Sequence, residues 1–298
     1  MHPRPILALV AVVVVACGGS AASTPDVVAT TTILGDVVAH TVEGCGLVVE
    51  SLMGVGQDPH AYQASPRQVT RLHEADLVVA NGLGLEAHLG DVLDAVAREG
   101  TPVLRLGPHL DPVARDGADP SVDPHVWMDP LRMADGVELV AETLGGLRPD
   151  AADCIRQAGA HYRGEVVATH GRIEALLAAV PVERRLLVTD HRSLGYFAER
   201  YGFVEVGALV PSTSTLAEPT PADLEALVEA METADVSVIF TEVGEPSRLA
   251  EAVAAELGRP VEVVPLYVGS LGPPGSGADS YLGMLETDAR LVAEALTP

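Results

Sequence analysis

The chain has 298 residues, 48% hydrophobic and 20% charged, a globular balance with enough length for two lobes, each with its own core. Its formal net charge is −24, and all 18 basic residues are Arg. That balance excludes a nucleic-acid backbone as partner and suits a solvated acidic surface that weakly attracts cations.

In chain order, the first segment is a targeting signal rather than part of the fold. Arg4 supplies a positive start, and Ile6 to Ala16 is an unbroken apolar run. The run is shorter than the roughly 20 residues that span a bilayer as a helix, and it fits a signal peptide over residues 1–16. Val14-Val15-Ala16-Cys17, followed by Gly18-Gly19-Ser20, resembles a bacterial lipobox. Cleavage before Cys17 would leave that cysteine to carry lipid, with residues 17–25 as a tether. The expected location is therefore outside the cytoplasm, lipid-anchored to the outer face of the cell membrane or periplasmic. Plain secretion with a free cysteine is the alternative. Cys45 and Cys154 remain, and an oxidising compartment favours a disulfide between them over two buried thiols.

The mature chain alternates strand and helix. Residues 27–33 are β-branched and predict a buried strand. A helix is expected over 34–42 and a strand over 47–53, which runs into a loop carrying Asp58-Pro59-His60. Ser65-Pro66 predicts a helix start, since proline suits the first helical position. Strand 76–81, helix 85–98 and strand 102–106 follow. Residues 107–122 are rich in Pro, Asp and Gly and predict a loop. It leads to Asp123-Pro124-His125-Val126-Trp127-Met128-Asp129-Pro130, where two Asp-Pro steps frame one histidine on a stiff, non-helical segment. A helix is expected over 131–147.

Residues 150–180 contain no proline until Pro181 and place apolar residues at a helical period. They predict one helix of about 45 Å, long enough to link two lobes. The N-terminal lobe is then 26–149 and the C-terminal lobe 181–298. In the latter, strand 185–190 leads directly to His191. Strands at 203–209, 236–242 and 261–266 alternate with helices at 193–201, 220–234 and 247–257. A Gly/Pro/Ser loop at 269–278 precedes the last helix, 280–296. This alternation predicts an α/β fold of two doubly wound lobes with mostly parallel sheets.

His60 and His191 follow strand ends, and ligands of open α/β sheets bind outside the strand C-termini. His125 and Asp279, in the loop before the last helix, join them as candidates. Three imidazoles and a carboxylate form a four-coordinate set that suits Zn²⁺. Asp279 alone also reads as a helix N-cap. Glu242, at a strand end, is the candidate acceptor that orients an imidazole. His73-Glu74 lacks the second histidine of a zinc-protease helix, because position 77 is Leu.

The sequence resembles the solute-binding proteins of bacterial ABC importers for zinc and manganese. The likeness rests on Gln57-Asp58-Pro59-His60-Ala61-Tyr62, Asn81-Gly82-Leu83-Gly84-Leu85-Glu86, and the Asp123–Pro130 stretch. It continues in His191-Arg192-Ser193-Leu194-Gly195-Tyr196-Phe197, Glu218-Pro219-Thr220-Pro221 and Ala278-Asp279-Ser280-Tyr281-Leu282. The resemblance implies two lobes joined by one long helix, and metal ligands at His60, His125, His191 and Asp279. It implies a receptor rather than an enzyme, a monomer that hands zinc to a permease. Manganese members tend to carry Glu where this chain has His191, which favours zinc. The alternatives are a manganese or iron receptor, an adhesin with a structural metal, and a zinc hydrolase. Two features depart from the family. The loop at 107–122 is short and holds only His109, and His88 replaces a bulky aromatic, either as a packing substitution or as a peripheral contact to incoming metal.

Overall fold

A computed structural model of the chain describes residues 25–114, 122–244 and 248–297. The expected signal peptide, Cys17 and nearly all of the tether lie outside the described residues. The N-terminal half contains β1 (Val27–Ala29), α1 (Thr32–Thr41), β2 (Val49–Ser51), α2 (Pro66–Glu74), β3 (Leu77–Ala80), α3 (Gly90–Arg98) and β4 (Val103–Arg105). Next come α4 (Pro130–Leu147) and the long helix α5 (Ala152–Leu177). The C-terminal half contains β5 (Leu186–His191), α6 (Gly195–Tyr201), β6 (Val204–Val210), α7 (Pro221–Thr233), β7 (Val238–Glu242), α8 (Arg248–Glu256), β8 (Glu262–Leu266) and α9 (Tyr281–Leu296).

Each half forms a four-stranded sheet, in the orders β2-β1-β3-β4 and β6-β5-β7-β8. All the pairings are parallel. The central strands are apolar on both faces because helices cover both sides. Alternation along each strand sorts the side chains. Val27, Ala29, Leu77 and Val79 face inward, while Val28, Val78 and Ala80 pack outward with Leu72 of α2 and Leu93 of α3. In the second sheet Leu187, Val238 and Phe240 face inward, and Val188 and Ile239 pack outward against Leu227 and Val253.

The inner core differs from the expected separate lobe cores. One apolar cluster runs from the first sheet through α4, α5 and α9 to Leu187, Phe240 and Leu266 of the second. Only the outer face of each sheet has a core to itself. The physical reason is that α5 buries one continuous stripe, from Ile155 to Leu177, that joins the same cluster as the inner faces of both sheets, so neither sheet alone covers it.

Helix starts follow the local chemistry. Ser65 precedes Pro66 with a capping box to Gln68, and Thr220 precedes Pro221 with one to Asp223. Asp129 precedes Pro130 and accepts from Leu131 N at 2.9 Å. The α5 helix is 26 residues, shorter than predicted, and so about 39 Å long. Its Gly159 lets it approach α4 closely, since a Cβ there would lie 2.9 Å from Ala141 Cβ. Its first turn carries Cys154, bonded to Cys45 in the segment after α1. Arg185, just before β5, donates to Leu177 O at 3.2 Å, which ties the far end of α5 to the second sheet.

Candidate metal centre

The strand ends of both sheets face one another across a cleft, and three of the four predicted ligands meet there. His60, His125 and His191 are 3%, 1% and 2% exposed, so their nitrogens are shielded from bulk water. One ligand nitrogen from each lies within 4.8 Å of the other two. The Nε2 atoms of His125 and His191 are 3.2 Å apart. Ring centroids are separated by 5.1 to 5.6 Å.

Each histidine is set by an aspartate one or two residues before it. Asp58 Oδ1 accepts from His60 N at 2.8 Å, and Asp58 Oδ2 accepts from Thr215 Oγ1 of the opposite half at 2.7 Å. Asp123 Oδ1 accepts from His125 N at 3.0 Å and lies 2.8 Å from His125 Nδ1. Asp190 Oδ1 accepts from His191 N at 2.7 Å and lies 3.1 Å from His191 Nδ1. An imidazole whose Nδ1–H is held by a carboxylate presents a bare Nε2, which is the form a metal takes.

The His125 segment is fastened to the second half of the chain. Tyr196 Oη donates to Asp123 O at 2.8 Å, Trp127 Nε1 donates to Val268 O at 2.9 Å, and Tyr281 Oη donates to Trp127 O at 2.7 Å. From the first half, Asn81 Nδ2 donates to Pro124 O at 2.9 Å. Buried Glu86 shapes that turn by accepting from Thr30 Oγ1, Asn81 N and Gly82 N. These bonds explain the Asn81–Glu86 motif. The second Asp-Pro step serves differently: Asp129 caps α4 and takes a two-pronged bond from Arg200.

The structure does not bring Asp279 to the imidazoles. It is exposed, and its Oδ2 accepts from Gly275 N at 2.8 Å. Neither grouping of ligand atoms among the described residues includes it. Its neighbour Ser280 caps α9 instead, accepting from Gly283 N. The carboxylate that does approach the site is Glu242. With Asp190 and His191 it forms a second group whose ligand atoms lie within 4.8 Å. Among the described residues it makes no hydrogen bond to an imidazole, so Asp123 and Asp190 fill the orienting role expected of it. Sequence reading missed both; the signal was the Asp that shortly precedes each of the three histidines. His88 is exposed on a short turn rather than packed.

Burial and charge set the protonation. Burial, helped by His125 and His191, pulls His60 down to about 2, so it is neutral across the physiological range. Burial also pulls on His191, but its bond to Asp190 and the nearby charges of Asp190, Glu242 and Asp58 outweigh it and raise the imidazole. Burial pushes Glu242 up to about 7, with Asp190 adding to it and His191 opposing.

Two parallel-sheet halves presenting one buried imidazole cluster at their facing strand ends define a metal-binding solute receptor. The chain belongs to the ZnuA family, described as zinc-uptake complex component A, periplasmic, whose model matches residues 27–295. Members of this family are receptors and not enzymes. The zinc-binding protein TroA of Treponema pallidum (strain Nichols) is 29% identical over 278 residues, covering 91% of this chain and 89% of that protein. The manganese-binding lipoprotein MntA of Bacillus subtilis (strain 168) is 28% identical over 291 residues, covering 94% and 92%. The structure of the periplasmic zinc-binding protein TroA from Treponema pallidum matches with a TM-score of 0.84 at 28% identity, covering 93% of this chain and 100% of that one. Among the described residues, no helix is long and apolar enough to cross a membrane.

Proposed function

We propose that the protein captures Zn²⁺ outside the cytoplasmic membrane and delivers it to an ABC-importer permease. In this reading His60, His125 and His191 are the ligands, the chain acts as a monomer, and lipid on Cys17 holds it at the membrane. The observation that carries the reading is the buried meeting of three imidazoles, two with Nδ1 already engaged by carboxylates. A nitrogen-dominated set suits zinc, whereas manganese prefers oxygen ligands. The manganese reading draws on relatives such as MntA and on the carboxylate of Glu242 beside His191.

Most nitrogen/oxygen sites bind zinc above manganese, so retention of manganese is the decisive outcome of a competition. Trp127 is the only tryptophan and its ring lies 5.2 Å from that of His125, so its fluorescence reports occupancy. Zinc is expected to displace manganese from the loaded protein at equal concentration. Retention of manganese under those conditions would overturn the zinc assignment.

Affinity is expected to fall on acidification. Zinc takes the neutral imidazole, and the ion-free protein holds the His191 proton more tightly than an ordinary histidine does. Below that raised value each zinc must displace the proton, and log affinity drops by about one per pH unit for each proton released. His60 adds nothing to the slope, because it stays neutral down to about pH 2. Chelator competition from pH 8 to pH 5 measures this, and an unchanged affinity over that range would contradict the proposed ligands.

A further inference from the structure

The three imidazoles leave a four-coordinate ion one ligand short, and the carboxylates around them differ in how they are engaged. Asp58 is bonded to His60 N and Thr215. Asp123 is bonded to His125, and Asp190 to His191 and, through Oδ2, to Glu242 N at 2.9 Å. Asp279 lies outside the cluster. Glu242 is held through one oxygen only: Oε1 accepts from Gly269 N at 2.8 Å. Among the described residues its Oε2 makes no hydrogen bond.

Gly269 explains how that carboxylate fits. A Cβ at this position would lie 2.5 Å from Glu242 Oε1 and 3.1 Å from Pro59 Cδ. The carboxylate of Glu242 therefore packs against the backbone of residue 269, close to the residue that precedes His60. Any side chain at 269 would take its place. We propose that Glu242 is the carboxylate ligand that completes the three-imidazole set, and that glycine at position 269 is what makes room for it. This inference rests on the reading of His60, His125 and His191 as the ion's ligands. A carboxylate with three neutral imidazoles gives the nitrogen and oxygen donor set that zinc accepts, and it offsets one of the ion's two charges. Glu242 joins only His191 of the three in this structure, so binding draws it inward by side-chain torsion, between staggered conformers.

Zinc affinity and the visible spectrum of the Co²⁺-loaded protein test this on the full chain with Glu242→Gln, Gly269→Ala and His60→Ala. Glutamine keeps an acceptor for Gly269 N and removes the charged ligand. The expected result is zinc binding weakened by about 100- to 1000-fold, the share of one ligand among four, together with altered cobalt bands. Gly269→Ala is expected to weaken binding in the same direction by displacing the carboxylate. If Glu242→Gln leaves the cobalt bands unchanged, whatever the affinity, Glu242 is not a ligand and the proposal falls. Loss of binding in His60→Ala beside that result would leave the three-imidazole reading standing. Full binding by His60→Ala would sink that reading itself. Thermal melts of each variant establish that it is folded.

Discussion

Replacing His191 with alanine is expected to weaken zinc binding by about 100- to 1000-fold. Structural zinc sites contribute roughly 10–16 kcal/mol, which over four ligands is about 2.5–4 kcal/mol each, and every 1.4 kcal/mol is about tenfold. His191 is the last residue of β5, so its backbone is fixed by pairing with Val210 of β6. Its Nε2 lies 3.2 Å from that of His125, and its Nδ1 is held by Asp190. The other two imidazoles of the cluster are ligands in the same reading, so neither can take its place without leaving its own. Asp190→Asn is expected to have a smaller effect, about 10- to 100-fold, because it disturbs orientation and leaves the ligand present. The order of the two losses matters as much as their size. Titration of Trp127 fluorescence against a competing chelator measures both. A His191→Ala protein that binds within about threefold of the parent would remove His191 from the site.

Most of the scaffold was legible because its signals are local. Ser65-Pro66 marks a helix start that the structure reproduces, and the helices expected from 131 and 220 begin within a residue of those positions, at Pro130 and Pro221. The β-branched and apolar runs of β1, β3 and β5 are strands for the same reason. The Asp-Pro-His phrases fixed two of the three imidazoles at loops, and β5 running into His191 fixed the third. What sequence could not supply was the partner across the cleft. Asp279 lies in a loop before a helix, and the motif Ala278-Asp279-Ser280-Tyr281 is satisfied without Asp279 reaching the imidazoles. Ser280 takes the cap, Tyr281 Oη reaches Trp127 O, and Asp279 turns back to Gly275. Glu242 reads as one more strand-terminal acid until β7 is seen beside β5 and Gly269 is seen against it. The shared core was hidden for a similar reason. Period and polarity show that α4 and α5 are partly apolar, yet they do not say that both sheets cover them.

Removing the Cys45–Cys154 bridge is expected to lower stability by roughly 4–5 kcal/mol while leaving zinc affinity nearly unchanged. The two cysteines are 109 residues apart. In the chain-entropy model a loop of about 100 residues gives about 4.7 kcal/mol. At about 2–4 °C per kcal/mol for a chain of this order, the midpoint should fall by roughly 10–20 °C. The bridge sits where α1 already packs on α5: Gly159 approaches Thr41, and His40 stacks on Tyr162 at 4.8 Å. The reduced protein therefore keeps its native contacts there, and the loss comes mainly from the freer unfolded chain. The site lies at the opposite end of α1. Thr32, in its first turn, accepts from Leu271 N at 3.0 Å, two residues from Gly269. With α1 only 10 residues long, about 15 Å separates that contact from the bridge. A double Cys→Ala variant, melted alongside the parent with and without reductant, decides the point. If stability and zinc affinity fell together by comparable factors, the bridge would be holding the cleft in its binding geometry, and the entropic account would be wrong.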